Sequence, residues 1–148
     1  MEYVVGFAFS KNRKNVLLIC KNRPEWQKGC LNGIGGKVED DPTFLAAMNR
    51  ECLEETGLIL NWQQKGIMKG RNDDGKHFVC HIFYAYSDDI YKYQQKEDEE
   101  LEIWSVHDFL ESVAQRVTNL NWLIPFGIHE ENRVFMELDY GLSNRYYE

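Results

Sequence analysis

The stretch GGKVEDDPTFLAAMNRECLEETGL, from Gly35 to Leu58, decides the fold because it contains a complete helix with the signals for both of its ends. Thr43 suits the N-cap position, and Asp41 followed by Pro42 at the first helical position is an alternative start. Gly57 suits the position after the last turn, where the backbone becomes left-handed. The stretch therefore predicts a helix of about four turns between these signals.

The charged residues of this predicted helix gather on one side. Glu51 and Glu55 are four residues apart, as are Arg50 and Glu54, so all four side chains are neighbours on the helix surface. Three like charges at this spacing repel one another, and a divalent cation bound to their oxygens would compensate while leaving coordination positions for phosphates. On its own, the pattern favours a solvated acidic face with an ion pair between Arg50 and Glu54.

Apolar residues are numerous enough for one hydrophobic core. Of the 148 residues, 43% are hydrophobic and 14% aromatic, which predicts a single domain over residues 1–148 and excludes a disordered chain. In the central helix, Leu45, Met48 and Cys52 recur at helical spacing and are expected to face the core. The cysteines and histidines are scattered along the chain and do not predict a zinc site.

Charge and the start of the chain restrict the partners. The 17 Lys and Arg residues against 24 Asp and Glu give a net charge of -7, which opposes binding to nucleic acid. No apolar run is long enough to span a membrane, and the first residues lack a charged leader followed by a cleavage site. We expect a soluble, cytoplasmic protein with no stable nucleic-acid partner and no membrane contact, whose oligomeric state the sequence leaves open.

The segments around the central helix predict a mixed α/β domain. Runs rich in β-branched and aromatic residues predict strands, and the segments between Val106 and Glu130 predict two short helices. The predicted strands are Tyr3–Phe9, Val16–Cys20, Trp62–Lys69, His77–Tyr86, Leu101–Val106 and Arg133–Tyr140, with short extended pieces at Leu31–Ile34 and Lys37–Val38; the predicted helices are His107–Arg116 and Asn119–Glu130. Pro125 must lie near an end of the second helix or kink it, and RNDDGK, residues 71–76, predicts a turn.

Read with the loop in front of it, the central stretch resembles the Nudix box, whose pattern is G-x5-E-x7-R-E-U-x-E-E-x-G-U with U an apolar residue. Eight of the nine defining positions match at fixed spacing, and they are Gly36, Arg50, Glu51, Cys52, Glu54, Glu55, Gly57 and Leu58. Pro42 stands where the family has its first glutamate, which usually supports the metal site or its arginine. The resemblance implies an α/β fold of the Nudix type, an α/β/α sandwich with a mixed β-sheet.

The resemblance also implies a chemistry. Nudix enzymes use water and Mg²⁺ or Mn²⁺ to cleave a phosphoanhydride in a nucleoside diphosphate linked to a further group. Carried over by position, Glu51 and Glu55 would be the principal metal ligands, and the carbonyl of Gly36 would complete the shell. Glu54 would share the metals or activate water, and Arg50 would hold Glu54 in place.

A second candidate base lies outside the box. Many family members have a glutamate, acting as base or extra ligand, on a loop just before a strand that carries a tryptophan. Glu99 or Glu100, ahead of Trp104, occupies the equivalent place. The run KEDEE that contains both is also typical of a charged loop in solvent, so the choice between them stays open.

Substrate residues are suggested by KGCLNGIGGKVE, residues 28–39, which is similar to the W-N-G-F-G-G-K-V stretch of the MutT-like subgroup that hydrolyses purine nucleoside triphosphates. In that subgroup the asparagine reads the base, which here is Asn32, while Leu31 replaces the usual tryptophan. Arg23 and Lys37 are predicted to meet phosphates, and Trp26 to stack on a base.

The segment NLNWLIPF, residues 119–126, resembles the late helix that completes the base pocket in the same subgroup. Asn119 and Trp122 are the candidates, although core packing explains Trp122 equally well. Asn119 stands where the enzyme for oxidised purines has an aspartate. The first functional hypothesis is therefore a metal-dependent hydrolase that converts a purine or modified purine nucleoside triphosphate to monophosphate and pyrophosphate.

Two alternatives stay open. One is a Nudix hydrolase of another nucleoside diphosphate derivative, such as ADP-ribose, a dinucleoside polyphosphate or a cap. The other is a catalytically weak Nudix module that binds a nucleotide without cleaving it, which Pro42 motivates.

Overall fold

The computed structural model describes residues 1–71, 75–129 and 133–140, and these form eight strands, three α-helices and two short 3-10 helices. The strands are β1 (Glu2–Phe9), β2 (Asn15–Cys20), β3 (Leu31–Asn32), β4 (Ile34–Lys37), β5 (Gln63–Arg71), β6 (His77–Tyr86), β7 (Leu101–Ser105) and β8 (Met136–Asp139). The helices are α1 (Phe44–Thr56), α2 (Val106–Glu111) and α3 (Leu120–Ile128). All six predicted strands and all three predicted helices are present; of the predicted turn, residues 72–74 lie outside the described residues, as does Glu130.

The strands form one mixed sheet in the order β3-β2-β1-β6-β5-β8, with β4 beside β1 and β7 beside β2. Strand β1 runs parallel to β6, and β5 runs parallel to β8, while the other pairs are antiparallel. Strand β1 pairs with β2 only at its end, and residues Tyr3 to Gly6 pair instead with β4. This exchange of partners brings β4, the end of the glycine-rich loop, to the centre of the sheet.

Helices cover both faces of the sheet, so its central strands are buried on both sides. Met48 and Cys52 of α1 pack on one face with alternate residues such as Val4 and Ala8 of β1. Residues of α2 and α3 pack on the other face with the remaining alternate residues, such as Phe7. The predicted α/β/α sandwich is confirmed.

Helix α1 begins and ends where the local signals predict. The hydroxyl of Thr43 accepts a hydrogen bond from the backbone N–H of Ala46 at 3.0 Å, which satisfies one of the free donors of the first turn. Gly57 has φ 72°, the left-handed conformation that glycine adopts without strain, and its N–H bonds to the carbonyl of Leu53. Of the two predicted starts, the one at Thr43 is therefore correct.

The prediction of the core stripe of α1 is partly wrong. Met48 and Cys52 are buried, but Leu45 is 44% exposed. Phe44, in the same turn, is also 37% exposed, so the first turn of the helix lies at the edge of the sheet. Phe44 stacks on the ring of His81 in β6, with 3.5 Å between the ring centroids, and so covers the sheet in the first turn of the helix.

Helix α3 is fixed to the sheet by two hydrogen bonds from phenol groups. The hydroxyl groups of Tyr84 and Tyr86 donate to the carbonyls of Leu123 and Gly127, each at 2.6 Å. A Cβ atom on Gly127 would lie 2.6 Å from the ring of Tyr84, so only glycine permits this close approach. Pro125 lies inside α3, three residues before its end, as the sequence predicts.

The second and third helices are shorter than predicted. Helix α2 ends at Glu111 because the chain then becomes extended at Ser112, whose hydroxyl accepts a hydrogen bond from the guanidinium of Arg116.

None of the helices in the described parts of the chain combines the length and the apolar character that a membrane span requires.

Candidate active site

The metal-ligand candidates lie where α1 crosses β4. The carboxylate of Glu51 packs directly against the backbone of Gly36, and a Cβ atom on Gly36 would lie 2.6 Å from its Oε1. Any larger residue at this position would displace the carboxylate. Helix and loop therefore bring the Glu51 oxygens and the Gly36 backbone into contact.

Glu55 is the most deeply buried of the box glutamates, with only 5% of its surface exposed. Its Oε2 is buried and has no hydrogen-bond partner. Burial raises the pKa of Glu55 to about 9, against the opposing charge of Lys21 and with the help of the charge of Glu51. Burial also raises the pKa of Glu51, despite the nearby guanidinium of Arg50. The charge of Glu51 therefore favours the protonated form of Glu55.

This arrangement fits a divalent cation. A buried carboxylate oxygen without a partner is costly, and a cation bound to it would remove that cost. The described residues contain no group of three or more His, Cys, Asp or Glu side chains placed to hold a metal. Mg²⁺ does not need one, since it is usually bound through one or two carboxylates together with waters and substrate phosphates. Glu51, Glu55 and the carbonyl of Gly36 supply such an incomplete set.

Arg50 makes five hydrogen bonds, three to the segment before the helix and two to glutamates of the helix itself. Its Nε and Nη2 donate to the two oxygens of Asp41 at 2.9 and 3.0 Å, and Nη2 also donates to the carbonyl of Lys37 at 3.1 Å. Its Nη1 donates to Glu51 at 3.0 Å and to Glu54 at 3.3 Å. The predicted contact between Arg50 and Glu54 is therefore present, but Glu54 is half exposed and Asp41 is the stronger partner.

The sequence predicts Asp41 only as a possible start of the helix and not as a residue of the site. It directly precedes Pro42, the one position that departs from the box. An acidic residue next to the missing glutamate was the available signal. The Arg50 guanidinium and the N–H of Glu39 hold the pKa of Asp41 at about 2.

The acidic loop before β7 separates the two predicted base candidates. Glu99 is buried, and its oxygens accept hydrogen bonds from the Lys21 ammonium at 3.1 Å and from the N–H of Asn22 at 2.6 Å. Glu100 is exposed. Glu97, which the sequence analysis did not select, lies near enough that its charge adds to the effect of burial in raising the pKa of Glu55.

A cavity of about 660 Å³ opens beside β4 on the face of the sheet opposite α1, within the size range of ligand pockets. It is lined by the predicted residues Trp26, Asn32, Gly36, Lys37 and Asn119, and by Lys21, Met68, Phe78 and Cys80, which sequence reasoning did not select. Lys21 directly follows β2 and joins the cavity to the acidic loop through Glu99. The glycine strand β4 thus separates the carboxylates from the cavity.

Two amides in this cavity differ in how fully they are bonded. The Oδ1 of Asn32 accepts from the N–H of Gly33 at 2.8 Å, and its Nδ2 donates to Gln27 at 3.1 Å. The Nδ2 of Asn119 donates to the sulfur of Met68 at 3.3 Å, but its Oδ1 is buried without a partner. Asn119 therefore presents an acceptor that a ligand can satisfy.

Two predicted substrate residues do not reach the cavity. Trp122 lies on the outer side of α3 and is 40% exposed, because the inner side of that helix carries Leu120, Leu123 and Ile124. Arg23 lies in the exposed loop after β2 and is not among the lining residues. Trp122 therefore lies neither in the lining of the cavity nor in the core.

Comparisons with known proteins agree with this architecture. The family model described as NUDIX domain matches residues 2–123. The fold is similar to the mutator MutT protein of Bacillus halodurans, with 22% identity, a TM-score of 0.69 and coverage of 96% of this chain and 91% of that one. It is also similar to the MutT NUDIX hydrolase of Burkholderia pseudomallei, with 22% identity, a TM-score of 0.64 and coverage of 86% and 98%.

A third similar structure is the NUDIX domain of Shewanella oneidensis NrtR complexed with ADP ribose, with 17% identity, a TM-score of 0.71 and coverage of 84% of both chains. No curated protein sequence matches the chain significantly. The family match covers strands β1 to β7 with the glycine strand and the acidic helix, and from it and from the geometry of those elements it follows that this chain belongs to the NUDIX domain family.

Proposed function

We propose that this protein is a divalent-metal-dependent hydrolase of nucleoside triphosphates, with a preference for purine or modified purine bases, that releases a nucleoside monophosphate and pyrophosphate. The observation that carries the proposal is the buried, unpartnered Oε2 of Glu55 beside Glu51 and the backbone of Gly36. The MutT proteins among the similar structures support it, although identities of 22% transfer the fold and not the substrate.

In this proposal Glu51, Glu55 and the carbonyl of Gly36 hold Mg²⁺ or Mn²⁺, and Glu54 supplies an additional oxygen at the exposed edge. When bound, the cation would neutralise phosphate oxygens and lower the pKa of a coordinated water. Arg50 keeps Glu51 and Glu54 at fixed distances from each other, which reduces the reorganisation that binding requires.

The reaction is hydrolysis of the bridge between the α and β phosphates. The oxygen of water forms a bond to one of the two phosphorus atoms, the bond from that phosphorus to the bridging oxygen breaks, and pyrophosphate and monophosphate separate. A carboxylate accepts the proton of the water. Glu54, Glu97 and Glu100 have oxygens available for this, whereas both oxygens of Glu99 are engaged by Lys21 and Asn22.

Four variants distinguish these candidate bases: Glu54→Gln, Glu97→Gln, Glu99→Gln and Glu100→Gln. Loss of the base should lower kcat about 10²–10⁴-fold and remove the acidic limb of the pH–rate profile. We expect that result for Glu54 or Glu97. Loss of the acidic limb in Glu99→Gln alone would overturn this assignment, whereas a lower kcat with the limb retained is the result expected if Glu99 only holds Lys21.

Cationic side chains at the cavity suit the phosphates. Lys21 is held by Glu99 between the cavity and Glu55, and Lys37 lines the same cavity. Two lysines at this cavity offset the negative charge of Glu51 and Glu55 that would otherwise repel a triphosphate. In this proposal Lys21 binds the phosphates, and Glu99 acts as the residue that positions it.

The base would occupy the remainder of the cavity. Trp26 is 66% exposed at its rim, where its ring is free to stack on a base. The unpartnered Oδ1 of Asn119 would accept a hydrogen bond from an amino or ring N–H group, and Asn32 retains one N–H for an acceptor on the same base. Purines carry both kinds of group along one edge.

A second candidate is hydrolysis of ADP-ribose or a related nucleoside diphosphate derivative. The similarity to a NUDIX domain complexed with ADP ribose favours it. The same carboxylates would serve both reactions, so the alternatives differ in the group attached to the β phosphate.

The experiment that tests the proposal is a panel of nucleoside triphosphates, ADP-ribose, dinucleoside polyphosphates and a cap analogue, each incubated with the protein and Mg²⁺ or Mn²⁺. Products are identified by chromatography. We expect pyrophosphate, not orthophosphate, from a purine triphosphate. Turnover of ADP-ribose alone would establish the second candidate, and no turnover of any compound would leave a nucleotide-binding module.

A further inference from the structure

We propose that Asp41 is a positioning residue of the metal site, which acts through a two-point ion pair with Arg50 to hold the carboxylate of Glu51 in place. The inference rests on the proposed function, because it assigns to Glu51 the binding of a divalent cation. It explains how the site is completed in a chain that has Pro42 at the first glutamate position of the box.

The ion pair has the geometry that fixes a guanidinium most firmly. Both oxygens of Asp41 accept from separate nitrogens of Arg50, at 2.9 and 3.0 Å, so the guanidinium is fixed in its plane as well as in its position. Asp41 is itself anchored, since its Oδ2 also accepts from the N–H of Glu39 at 3.0 Å. Its side chain is only 8% exposed, which limits competition from water.

The same guanidinium reaches the metal-ligand candidates. Its Nη1 donates to Oε1 of Glu51 at 3.0 Å, and its Nη2 donates to the carbonyl of Lys37, the residue after Gly36. Arg50 therefore ties together the loop, strand β4 and the carboxylate of α1. Asp41 determines where the guanidinium lies in this group, because it provides two of the five hydrogen bonds.

Removal of Asp41 would change the balance of charge around Arg50. With Asp41, two nitrogens of the guanidinium are satisfied away from α1, and one nitrogen remains for Glu51 and Glu54. Without it, the full charge of Arg50 would be compensated by Glu51 and Glu54 alone. An arginine that competes more strongly for Glu51 would weaken the binding of a cation to the same carboxylate.

Pro42 cannot perform this task, since it has no acceptor on its side chain, and it remains exposed. A carboxylate placed at position 42 lies one residue closer to α1 and would need a different reach to meet Arg50. Glutamate has one methylene more than aspartate, and this extra length would supply the reach. The carboxylate can therefore be moved from position 41 to position 42 as a test. If the ion pair only fastened the loop to the helix, exchanging the two positions would leave the affinity for the metal unchanged.

The test compares Asp41→Ala, Asp41→Asn, Pro42→Glu and the double variant Asp41→Ala/Pro42→Glu. Asp40→Ala is the matched control, because Asp40 is an exposed aspartate directly beside Asp41. Binding of Mn²⁺ to each protein is titrated without nucleotide by electron paramagnetic resonance. The unfolding midpoint in EDTA is measured in parallel, followed by kcat and KM on the best substrate.

We expect Asp41→Ala and Asp41→Asn to weaken Mn²⁺ binding and lower kcat by about 10–100-fold, the usual loss when a partner of a metal ligand is removed. Pro42→Glu alone should change little, because Arg50 already has its partner, and the double variant should recover most of the affinity and of kcat. Asp40→Ala should resemble the parent protein. If Asp41→Ala fails to fold, the isosteric Asp41→Asn provides the same comparison.

Unchanged Mn²⁺ affinity in the folded Asp41 variants would overturn the inference, as would a double variant that binds Mn²⁺ as weakly as Asp41→Ala. The metal titration needs no substrate. A protein that hydrolyses none of the nucleotides but loses Mn²⁺ affinity in the Asp41 variants would therefore contradict the proposed function and support the role of Asp41.

Discussion

The acidic helix and the cavity on the other side of β4 differ in how firmly their side chains are held. On α1, Glu51 is held by Arg50 and packed on Gly36. In the cavity, Trp26 is two thirds exposed and Lys37 is exposed. The helix is prepared for one kind of ligand atom, whereas the cavity leaves much of its bonding to whichever base enters.

This difference separates chemistry from selectivity. Carboxylates that hold a cation must be placed within tenths of an ångström, and the hydrogen bonds of Arg50 provide that placement. Base recognition tolerates variation, because stacking and single hydrogen bonds each contribute only about 1–3 kcal/mol. Changes on α1 should therefore affect turnover of every substrate, and changes in the cavity should affect the choice among them.

The largest effect is expected for Glu55→Gln. The substitution keeps the shape of the side chain but removes its charge, so metal-supported stabilisation of several kcal/mol should be lost and kcat should fall roughly 10²–10⁴-fold for all substrates. Steady-state kinetics with Mg²⁺ provide the measurement, and Glu111→Gln on the exposed side of α2 is the control. A loss limited to one nucleotide would contradict the division between helix and cavity.

The same variant should have the opposite effect on stability without metal. In the folded protein the pKa of Glu55 is about 9, above its ordinary value of 4.5, so the folded state binds more protons than the unfolded state between these limits. The free energy of unfolding in EDTA should then decrease as pH rises from 5 to about 9. Glu55→Gln should be more stable than the parent at the upper end, as measured by urea unfolding, and parallel pH curves would contradict burial of the charge.

A smaller and more selective effect is expected for Asn119→Leu. It removes the unpartnered oxygen, so kcat/KM should fall by about 1–3 kcal/mol, roughly 5–150-fold, for bases that donate to Oδ1. Bases without that donor should be less affected, as a comparison of GTP with ITP would reveal for the 2-amino group. Asn121→Leu, on the exposed side of α3, is the control. Equal losses for all bases would place Asn119 outside base recognition.

The smallest effect is expected for Trp26→Ala. Stacking on an exposed ring is worth about 1 kcal/mol, so KM should rise roughly fivefold with little change in kcat. Trp122→Ala is a matched control, because Trp122 is partly exposed but does not line the cavity. Equal increases in KM for both variants would exclude stacking at Trp26 as the cause.

The features that the sequence predicts well are those fixed by neighbours in the chain. Both ends of α1 depend on side chains within three residues of the turn they close, and strands β1 and β6 on continuous apolar runs. Leu45 is exposed although its direction matches the buried stripe, because the first turn of α1 lies at the edge of the sheet, where Phe44 is exposed as well. Trp122 lies on the side of α3 opposite its buried residues, so it is not part of the core.

The site residues likewise fall into two groups, those that are close in sequence and those that only the fold brings together. The motif positions Glu51, Glu55 and Gly36 come together because the loop and helix that carry them are adjacent in sequence. Lys21 follows strand β2, and Glu97 lies in the loop before β7. Their proximity to Glu55 depends on strand order, which local pattern does not encode. Only the folded chain relates them to Glu55.

The two phenol hydrogen bonds that fasten α3 have a consequence for how the binding site can diversify. The wall that begins at Asn119 is clamped at the carbonyls of Leu123 and Gly127, and a side chain on Gly127 would collide with Tyr84. The opposite wall is the short segment that carries Trp26, whose ring is two thirds exposed. New specificities would therefore arise most readily through changes in that loop, while α3 keeps its position on the sheet.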